Sequence, residues 1–370
     1  MRRTFRILIV NPFGIGDVLF TTPLIRAIRR AFPQSRIAYL CNRRTERMLR
    51  QNPNLDELFV YEKDEVVCLW SSSRWRCVAY LTCFLGQIRS ARFDLVLDLS
   101  LGERYSLILA LLGITRRIGF NYRRRGRFLT DTLPIDGYHD AHVVEYYTDL
   151  LEFMGVHLIE PWLELKVSEE DKEWALGWLR EHHLVGKSPI VGIVPAGGVS
   201  WGIDAPFRRW SFEGFAAVGD ALVKRWGAKV ILFGEASDIA SCRTVARLMC
   251  HPVIDISGQT SLGQFVSLLG RLDLVVCNDG GPLHLAVSQR VSTVSIFGPV
   301  DPAVYGPYPH DETKHHVVRQ ETLPCRPCYH AFKLPTCPYE RGCLTTIWPE
   351  EVIATCATVL DHGCRQEVAL

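Results

Sequence analysis

The sequence predicts an α/β protein built from two doubly wound parallel sheets, in which the second half repeats the architecture of the first. Short runs of β-branched and Leu residues alternate with helical patterns throughout the chain. The alternation stops at a polar break, Gly186–Pro189, and then restarts, so we expect two Rossmann-like domains, 1–185 and 186–370. Two such domains are expected to face a cleft, with ligands at the carboxyl ends of the strands.

The elements of the first half are read from hydrophobic periodicity. A continuous apolar run predicts a buried strand, and apolar residues spaced three or four apart predict a helix. The helix after the first strand is expected to open at Asp17 and to bury one face up to Phe32. The predicted strands are Arg6–Val10, Arg36–Leu40 and Phe93–Leu97, and the further predicted helices are Leu107–Leu112 and His142–Met154.

The second half repeats this alternation. A polar helix, Ser168–His183, precedes the break, and Ser211 is expected to cap a helix over Phe212–Trp226. The predicted strands are Ile190–Val194, Lys229–Phe233, Leu274–Cys277 and Val294–Phe297.

Composition excludes several classes of protein. Of 370 residues, 48% are apolar and 22% charged, which is typical of a soluble globular chain and excludes a disordered, collagenous or small disulfide-rich one. The apolar runs Cys77–Gly86 and Leu107–Ile114 are too short to span a bilayer. The run Ile7–Val10 is too short for a secretory signal. We therefore expect a cytoplasmic protein whose cysteines are thiols or metal ligands.

Charge is distributed unevenly along the chain. Residues 1–130 carry 23 Lys and Arg against 10 Asp and Glu, a net +13, whereas the remainder carries 19 against 30, a net −11. A basic half indicates a nucleic acid, an anionic membrane or a phosphorylated substrate as partner, and a solvated loop is the alternative. Nucleic acid is the least favoured, because no recognised binding module is present. The densest cluster is Arg116, Arg117, Arg123, Arg124, Arg125 and Arg127.

Three loops at predicted strand ends have residues that could carry ligand-binding or catalytic chemistry. Gly14–Asp17 combines two glycines with an acid, although an Asp at a helix start is also explained by the helix dipole. Gly197 and Gly198 precede Arg208, which could neutralise phosphate charge. Asp279–His284 places an acid and two glycines, Gly280 and Gly281, before a helix whose free N–H groups favour an anion. A tight turn and a buried histidine are the simpler explanations of this last loop.

Together these segments resemble the bacterial lipopolysaccharide heptosyltransferases, a glycosyltransferase family that uses ADP-heptose. The resemblance covers most of the chain, in the family's order, and implies the GT-B fold. The N-terminal domain is then expected to bind the acceptor and the C-terminal domain the nucleotide sugar. The segments that carry it are Ile7–Asp17 with Thr22-Pro23, His142–Gly155, Pro195–Gly198, Arg209-Trp210, Phe233-Gly234, and Asp279–His284 with Phe297–Pro299.

The resemblance also implies roles for individual residues. Asp17 matches the general base that activates an acceptor hydroxyl for inverting attack at the anomeric carbon. Arg208 stands where the family usually has a phosphate-binding lysine, and Gly280, Gly281 and His284 match the segment that binds the diphosphate. Two acids complete the expected donor site, Asp279 near the sugar and Asp238 near the ribose. The basic half is expected to meet a phosphorylated lipid A–core acceptor at the inner membrane.

Transfer of this kind is expected to need no cofactor, since the leaving diphosphate is stabilised by helix N–H groups, Arg208 and His284.

Four cysteines near the C-terminal end of the sequence could bind a metal. They are Cys325, Cys328, Cys337 and Cys343, which fall within 19 residues. The Cys-x2-Cys spacing is compatible with structural zinc, and relatives that heptosylate autotransporters hold iron on such a cluster. Four reduced cysteines in a surface loop are the alternative.

The acceptor is left open by the sequence. A core lipopolysaccharide is the leading hypothesis, and a protein acceptor of the autotransporter type or another nucleotide sugar as donor is the alternative. A non-catalytic, two-lobed nucleotide- or sugar-binding protein is a further alternative. If Asp17 is the base, Asp17→Ala should abolish turnover while nucleotide binding persists, and unchanged turnover would exclude that role.

Overall fold

The computed structural model describes residues 4–197 and 202–367. Its contacts divide the chain into two compact units, which we describe separately. Unit 1 comprises residues up to Tyr138 together with Val143–Pro161, and unit 2 comprises His139–His142 and Trp162 onward. The helix that follows Ser168 thus packs with unit 2. None of the helices in the described ranges is long and apolar enough to cross a membrane.

Unit 1 is a six-stranded parallel sheet of order β3-β2-β1-β4-β5-β6 with helices on both faces. The strands are β1 (Arg6–Val10), β2 (Arg36–Cys41), β3 (Glu57–Val60), β4 (Leu95–Asp98), β5 (Arg116–Tyr122) and β6 (Asp131–Ile135). The helices are α1 (Ile15–Leu19), α2 (Thr22–Ala31), α3 (Arg43–Leu49), α4 (Lys63–Ser72), α5 (Arg74–Ala91), α6 (Glu103–Leu111) and α7 (Val143–Glu152).

The first predicted helix is two helices in the structure, and Pro23 explains the break. Proline has no N–H, so the carbonyl of Leu19 loses its backbone donor. The hydroxyl of Thr22 donates to that carbonyl instead, at 2.7 Å. Asp17 therefore lies on the short helix α1, and the apolar face predicted for the following residues belongs to α2.

Unit 2 repeats the arrangement with a six-stranded parallel sheet of order β12-β11-β10-β7-β8-β9. The strands are β7 (Ile190–Val194), β8 (Lys229–Leu232), β9 (Ile254–Asp255), β10 (Leu274–Asn278), β11 (Ser292–Phe297) and β12 (His315–Arg319). The helices are α8 (Glu169–Glu181), α9 (Phe212–Trp226), α10 (Ile239–Leu248), α11 (Leu262–Leu269), α12 (Gly281–Ser288), α13 (Pro302–Tyr305), α14 (Gly342–Thr345) and α15 (Pro349–Glu367). Short 3₁₀ segments cover Gly202–Arg208 and Ala236–Asp238.

Local sequence explains the ends of these helices. The Ser211 hydroxyl accepts the N–H of Gly214 at 3.0 Å and so begins α9 as predicted. Gly227, with φ of 61°, ends the same helix. In both sheets the order of strands reverses once, between β1 and β4 and between β7 and β10. At such a switch point the loops diverge to opposite faces, and ligands bind in the crevice between them.

Candidate active site

Asp17 lies beyond the carboxyl end of β1, beside the switch point of unit 1. Two asparagines hold the loop before it: Asn11 donates to the main-chain carbonyl of Asp17 at 3.2 Å, and Asn42 donates to that of Phe13 at 2.6 Å. The half-buried carboxylate of Asp17 accepts the N–H of Gly14 at 3.3 Å. These bonds orient the carboxylate in the first turn of α1.

Three buried tyrosines, Tyr39, Tyr138 and Tyr147, lie within electrostatic reach of this carboxylate. Burial raises the pKa of each hydroxyl above its ordinary value, and the negative charge of Asp17 raises it further. The rings of Tyr138 and Tyr147 meet edge to face, with centroids 6.1 Å apart. The three tyrosine hydroxyls therefore stay neutral at physiological pH, and the carboxylate of Asp17 is surrounded on this side by uncharged groups.

A second carboxylate at this edge, Asp98, was not identified from the sequence. It ends β4 and is paired in register with Val10 of β1. The side chain is buried and accepts the N–H of Ser100 at 3.0 Å. Burial raises its pKa to about 6. Asp98 could have been identified from the sequence as a candidate site residue, because it is the last residue of an apolar strand and such strand ends lie at the switch point.

We expect Asp98→Asn to stabilise the protein at neutral pH, because a buried charge is removed while the bond from Ser100 is kept. With a pKa near 6 when folded and about 3.9 when unfolded, the folded state binds the proton more tightly. Its stability therefore falls as pH rises from about 4 through 6, by about 2–3 kcal/mol in all.

Urea unfolding of the parent and the variant at neutral pH and near pH 4 measures this effect. The gain of Asp98→Asn should be present at neutral pH and absent at the acid end. Asp64→Asn, which removes an exposed carboxylate from α4, is the matched control and should change stability little. If the extra stability of Asp98→Asn over the parent is as large near pH 4 as at neutral pH, Asp98 is not a buried charge in the folded protein.

In unit 2, the predicted donor residues come together at the switch point between β7 and β10. Arg208 and Asp279 form a buried ion pair, in which the Nε and Nη2 of the arginine donate to Oδ2 at 3.0 and 2.5 Å. Gly280 follows with φ of 145°, a conformation that favours glycine. A Cβ atom there would lie 3.3 Å from the carbonyl oxygen of Gly197. The two glycine loops thus approach each other closely, next to a cation.

The helix α12 begins at Gly281, directly after this junction. Its first turn has the unpaired N–H groups that make a helix start favourable for anions. A single amide side chain, that of Asn278, holds the neighbouring segments: it donates to the carbonyl of Pro195 at 2.7 Å and accepts the N–H of Trp210 at 2.9 Å. Asn278, the last residue of β10, therefore holds two segments in place: the one that begins at Pro195 and carries Gly197, and the one that carries Arg208 and ends at Trp210. Gly198 lies outside the described residues.

His284 lies one turn into α12 and is buried. Burial, together with the nearby His142 and Arg208, lowers the pKa of its imidazole to about 3. His142, missed as a site residue, is also buried and stacks on Tyr308 with ring centroids 4.5 Å apart. Its Nε2 lies 3.2 Å from the carbonyl oxygen of Gly306. At neutral pH His284 is thus uncharged and can act towards an anion as a hydrogen-bond donor, not as a cation.

Asp238 lies under the turn that follows β8. Its Oδ2 accepts the N–H of Glu235 at 3.2 Å, and its buried Oδ1 lies 3.9 Å from the guanidinium of Arg209. Burial raises the pKa of this carboxyl. Glu235 itself is exposed beside it. The carboxylate of Asp238 therefore stabilises the turn after β8, which is the part of unit 2 where the ribose of the donor was expected to bind.

Comparison with known proteins identifies the family. The family model described as glycosyltransferase family 9 (heptosyltransferase) matches residues 83–334. The chain belongs to this family. Lipopolysaccharide heptosyltransferase 2 of Escherichia coli K12 is 25% identical over 336 residues, which cover 85% of this chain and 90% of that protein. The protein is therefore an enzyme, a glycosyltransferase, as predicted.

Solved structures confirm the predicted GT-B fold class. A family 9 glycosyltransferase from Veillonella parvula is 26% identical, with a TM-score of 0.82 over 98% of this chain and 99% of that one. The ADP-heptose lipopolysaccharide heptosyltransferase II of Escherichia coli is 22% identical, with a TM-score of 0.73 over 97% of this chain and 100% of that one. This second likeness concerns the fold alone.

The predicted acceptor arginines of this glycosyltransferase fall into two groups. Arg116 and Arg117 lie on β5 and are used internally: Arg116 pairs with Asp131 at 3.4 Å, and Arg117 donates to the carbonyl of Phe128 at 2.5 Å. The others, Arg123, Arg124, Arg125 and Arg127, are exposed in the turn after β5. This turn lies at the same sheet edge as Asp17, because all strands of the sheet are parallel.

The four clustered cysteines lie near one another in unit 2. Burial raises the pKa of Cys343 to about 11 and also raises that of Cys328, and the neighbouring cysteines of the cluster contribute to both shifts. Across the described ranges, however, no group of three or more Cys, His, Asp or Glu is arranged to hold a metal ion. As placed, these partly buried thiols do not form a ligand set, and the metal site stays a prediction.

Proposed function

We propose that this enzyme transfers heptose from ADP-heptose to a phosphorylated inner-core lipopolysaccharide acceptor, with inversion at the anomeric carbon. One observation carries the proposal most strongly: the junction of Gly197, Gly280 and the start of α12 beside the Arg208–Asp279 pair. Such a junction suits the diphosphate of a nucleotide sugar. The name of the Escherichia coli relative, lipopolysaccharide heptosyltransferase 2, supports transfer of heptose to lipopolysaccharide, and the structural neighbour from the same species is named for ADP-heptose.

The donor is held by unit 2 in this proposal. The backbone at Gly197, Gly280 and Gly281 allows the diphosphate to approach the first turn of α12, and Arg208 supplies the positive charge. His284 donates a hydrogen bond to the same group as a neutral imidazole. Asp279, the partner of Arg208, lies near the sugar, and Asp238 lies near the ribose.

The acceptor is held by unit 1. Asp17 takes the proton of the acceptor hydroxyl while its oxygen attacks the anomeric carbon. The bond from that carbon to the β-phosphate oxygen breaks, and ADP leaves with the electron pair. Charge that develops on the leaving oxygen is met by the helix N–H groups and Arg208, so the step needs no cofactor. The exposed arginines Arg123, Arg124, Arg125 and Arg127 attract the phosphates of the acceptor, and the enzyme works at the cytoplasmic face of the inner membrane.

A donor screen tests the proposal. The purified enzyme is incubated with a panel of nucleotide sugars and with delipidated core oligosaccharide, and release of free nucleotide is measured. Release of ADP only when ADP-heptose and core oligosaccharide are both present is the expected result. Release only with an autotransporter protein as acceptor, or only with another nucleotide sugar, overturns the acceptor or the donor assignment.

The structural metal is tested separately. If Cys325, Cys328, Cys337 and Cys343 hold iron or zinc, elemental analysis of the purified enzyme should give about one metal per chain, as a four-thiolate site requires. Cys325→Ser/Cys328→Ser should abolish it, whereas Cys68→Ser/Cys83→Ser, at exposed cysteines of α4 and α5, should not. A parent enzyme without bound metal contradicts the prediction and favours four reduced thiols.

A further inference from the structure

The helices α4 and α5 of unit 1 form a hairpin that buries very little of its apolar surface. No residue of α4 is buried, although the helix contains Val66, Val67, Leu69 and Trp70. In the 18-residue helix α5 only Cys77, Phe84 and Ile88 are buried. Isolated helices of this length are marginal in water, and apolar surface left open is typical of an interaction site.

Large apolar side chains are concentrated at the tip of this hairpin. Trp75 is 85% exposed and Trp70 is 52% exposed, and Val67 and Val78 extend the same surface along both helices. The outward face of α5 then continues for about two further turns without a charge, through Ala79, Thr82 and Gly86. This face lies opposite the side that carries Phe84 and Ile88 into the core cluster of the sheet.

The charges around the tip all have one sign. From residue 66 to residue 93 there is no acid, and the arginines are Arg74, Arg76, Arg89 and Arg92. The guanidinium of Arg74 lies over the ring of Trp70, 5.6 Å from its centroid. The acids of α4, Asp64 and Glu65, lie at the other end of the helix, about 10 Å away at 1.5 Å per residue. Glu65 is also neutralised there by Arg43 at 3.0 Å.

We propose that the tip of the α4–α5 hairpin docks on the surface of an anionic phospholipid bilayer. Tryptophan at a basic, apolar surface is the combination that settles at the headgroup level, with rings in the interface and arginines on lipid phosphates. Negative lipids complement the four arginines, whereas a second copy of this surface would place like charges together. This inference rests on the proposed function at one point only: an acceptor anchored in the membrane requires the enzyme to work at the membrane surface.

Vesicle co-sedimentation of the full chain, without donor or acceptor, tests the docking surface. The probes are vesicles of phosphatidylcholine alone and of phosphatidylcholine with phosphatidylglycerol in a three-to-one ratio. We expect binding to the anionic vesicles, weakened by high salt. Arg74→Gln/Arg76→Gln should lower the partition constant by about twenty-fivefold, since each arginine near such a surface contributes about fivefold. Trp75→Ser/Val78→Ser should lower it by about tenfold.

Matched controls come from exposed residues of unit 2. Trp348→Ser removes a tryptophan that is 66% exposed, and Arg243→Gln/Arg247→Gln removes two exposed arginines of α10. Both should bind like the parent. Equal loss in these controls, binding to neutral vesicles as strong as to anionic ones, or a chain dimer that only Trp75→Ser/Val78→Ser dissociates would each overturn the proposal.

Turnover separates this inference from the proposed function. On delipidated core oligosaccharide, the hairpin variants should turn over like the parent, because the hairpin takes no part in the chemistry. On acceptor embedded in anionic vesicles, their turnover should fall in step with their binding. A parent that binds vesicles but releases no ADP with any core acceptor refutes the proposed function and leaves the docking surface standing.

Discussion

Asp17→Asn is expected to lower kcat by about 10²–10⁴-fold, the range that loss of a general base produces. The amide keeps the size of the side chain and still accepts the N–H of Gly14, so the loop and α1 should stay as they are. It cannot take the proton of the acceptor hydroxyl, because an amide oxygen is a very weak base. The buried tyrosines nearby cannot replace it, since burial raises their pKa far above neutrality.

The measurement is steady-state release of ADP with soluble acceptor, together with the affinity for ADP measured by calorimetry. The affinity should be unchanged, because the nucleotide is assigned to unit 2. Asp64→Asn, at an exposed carboxylate of the same unit, should leave both quantities unaltered. Turnover of Asp17→Asn within twofold of the parent would exclude Asp17 as the base.

Arg208→Gln is expected to destabilise unit 2 by about 3–5 kcal/mol, because it leaves the carboxylate of Asp279 buried without its partner. For a unit of this size that loss corresponds to a fall in Tm of about 10 °C. The same change should weaken ADP binding by about 10–100-fold, through loss of a charge-assisted contact with the diphosphate.

A double variant distinguishes these two effects. Arg208→Gln/Asp279→Asn removes both charges, so most of the lost stability should return, since a neutral pair needs no compensation. The affinity for ADP should remain low, because the cation is still missing. Thermal unfolding and calorimetry of both variants measure this. Recovery of ADP affinity together with stability would show that Arg208 serves only to neutralise Asp279.

Much of the fold was predictable because buried parallel strands have a strong local pattern. The β-branched runs at Arg6–Val10 and Ile190–Val194 identify central strands, and Ser211 begins its helix through a bond within one turn. The hairpin of α4 and α5 was missed because its helices are apolar on most sides and lack a helical stripe. The run Cys77–Gly86 was interpreted only as too short for a membrane span.

Long-range contacts in the candidate site were beyond the reach of local patterns. Arg208 and Asp279 are 71 positions apart, so their pairing depends on how β7 and β10 meet. The loop pattern is compatible with a buried His284, but it does not place His142 beside it, so the neutral state of the imidazole could not be foreseen. For the same reason the elevated pKa of Asp98 could not be foreseen, because burial of a strand end depends on the packing around it.

The amide of Asn278 determines which part of the donor site can change without disturbing the sheet. Through its bonds to Pro195 and Trp210, both ends of the segment 196–209 are tied to one residue of the central strand. The cost of closing a loop grows only slowly with its length, so residues inserted between fixed ends disturb the sheet little. Changes of length between these two ends are therefore expected to alter the contacts with the donor diphosphate, which Gly197 and Arg208 provide in our proposal, while the sheet keeps its structure.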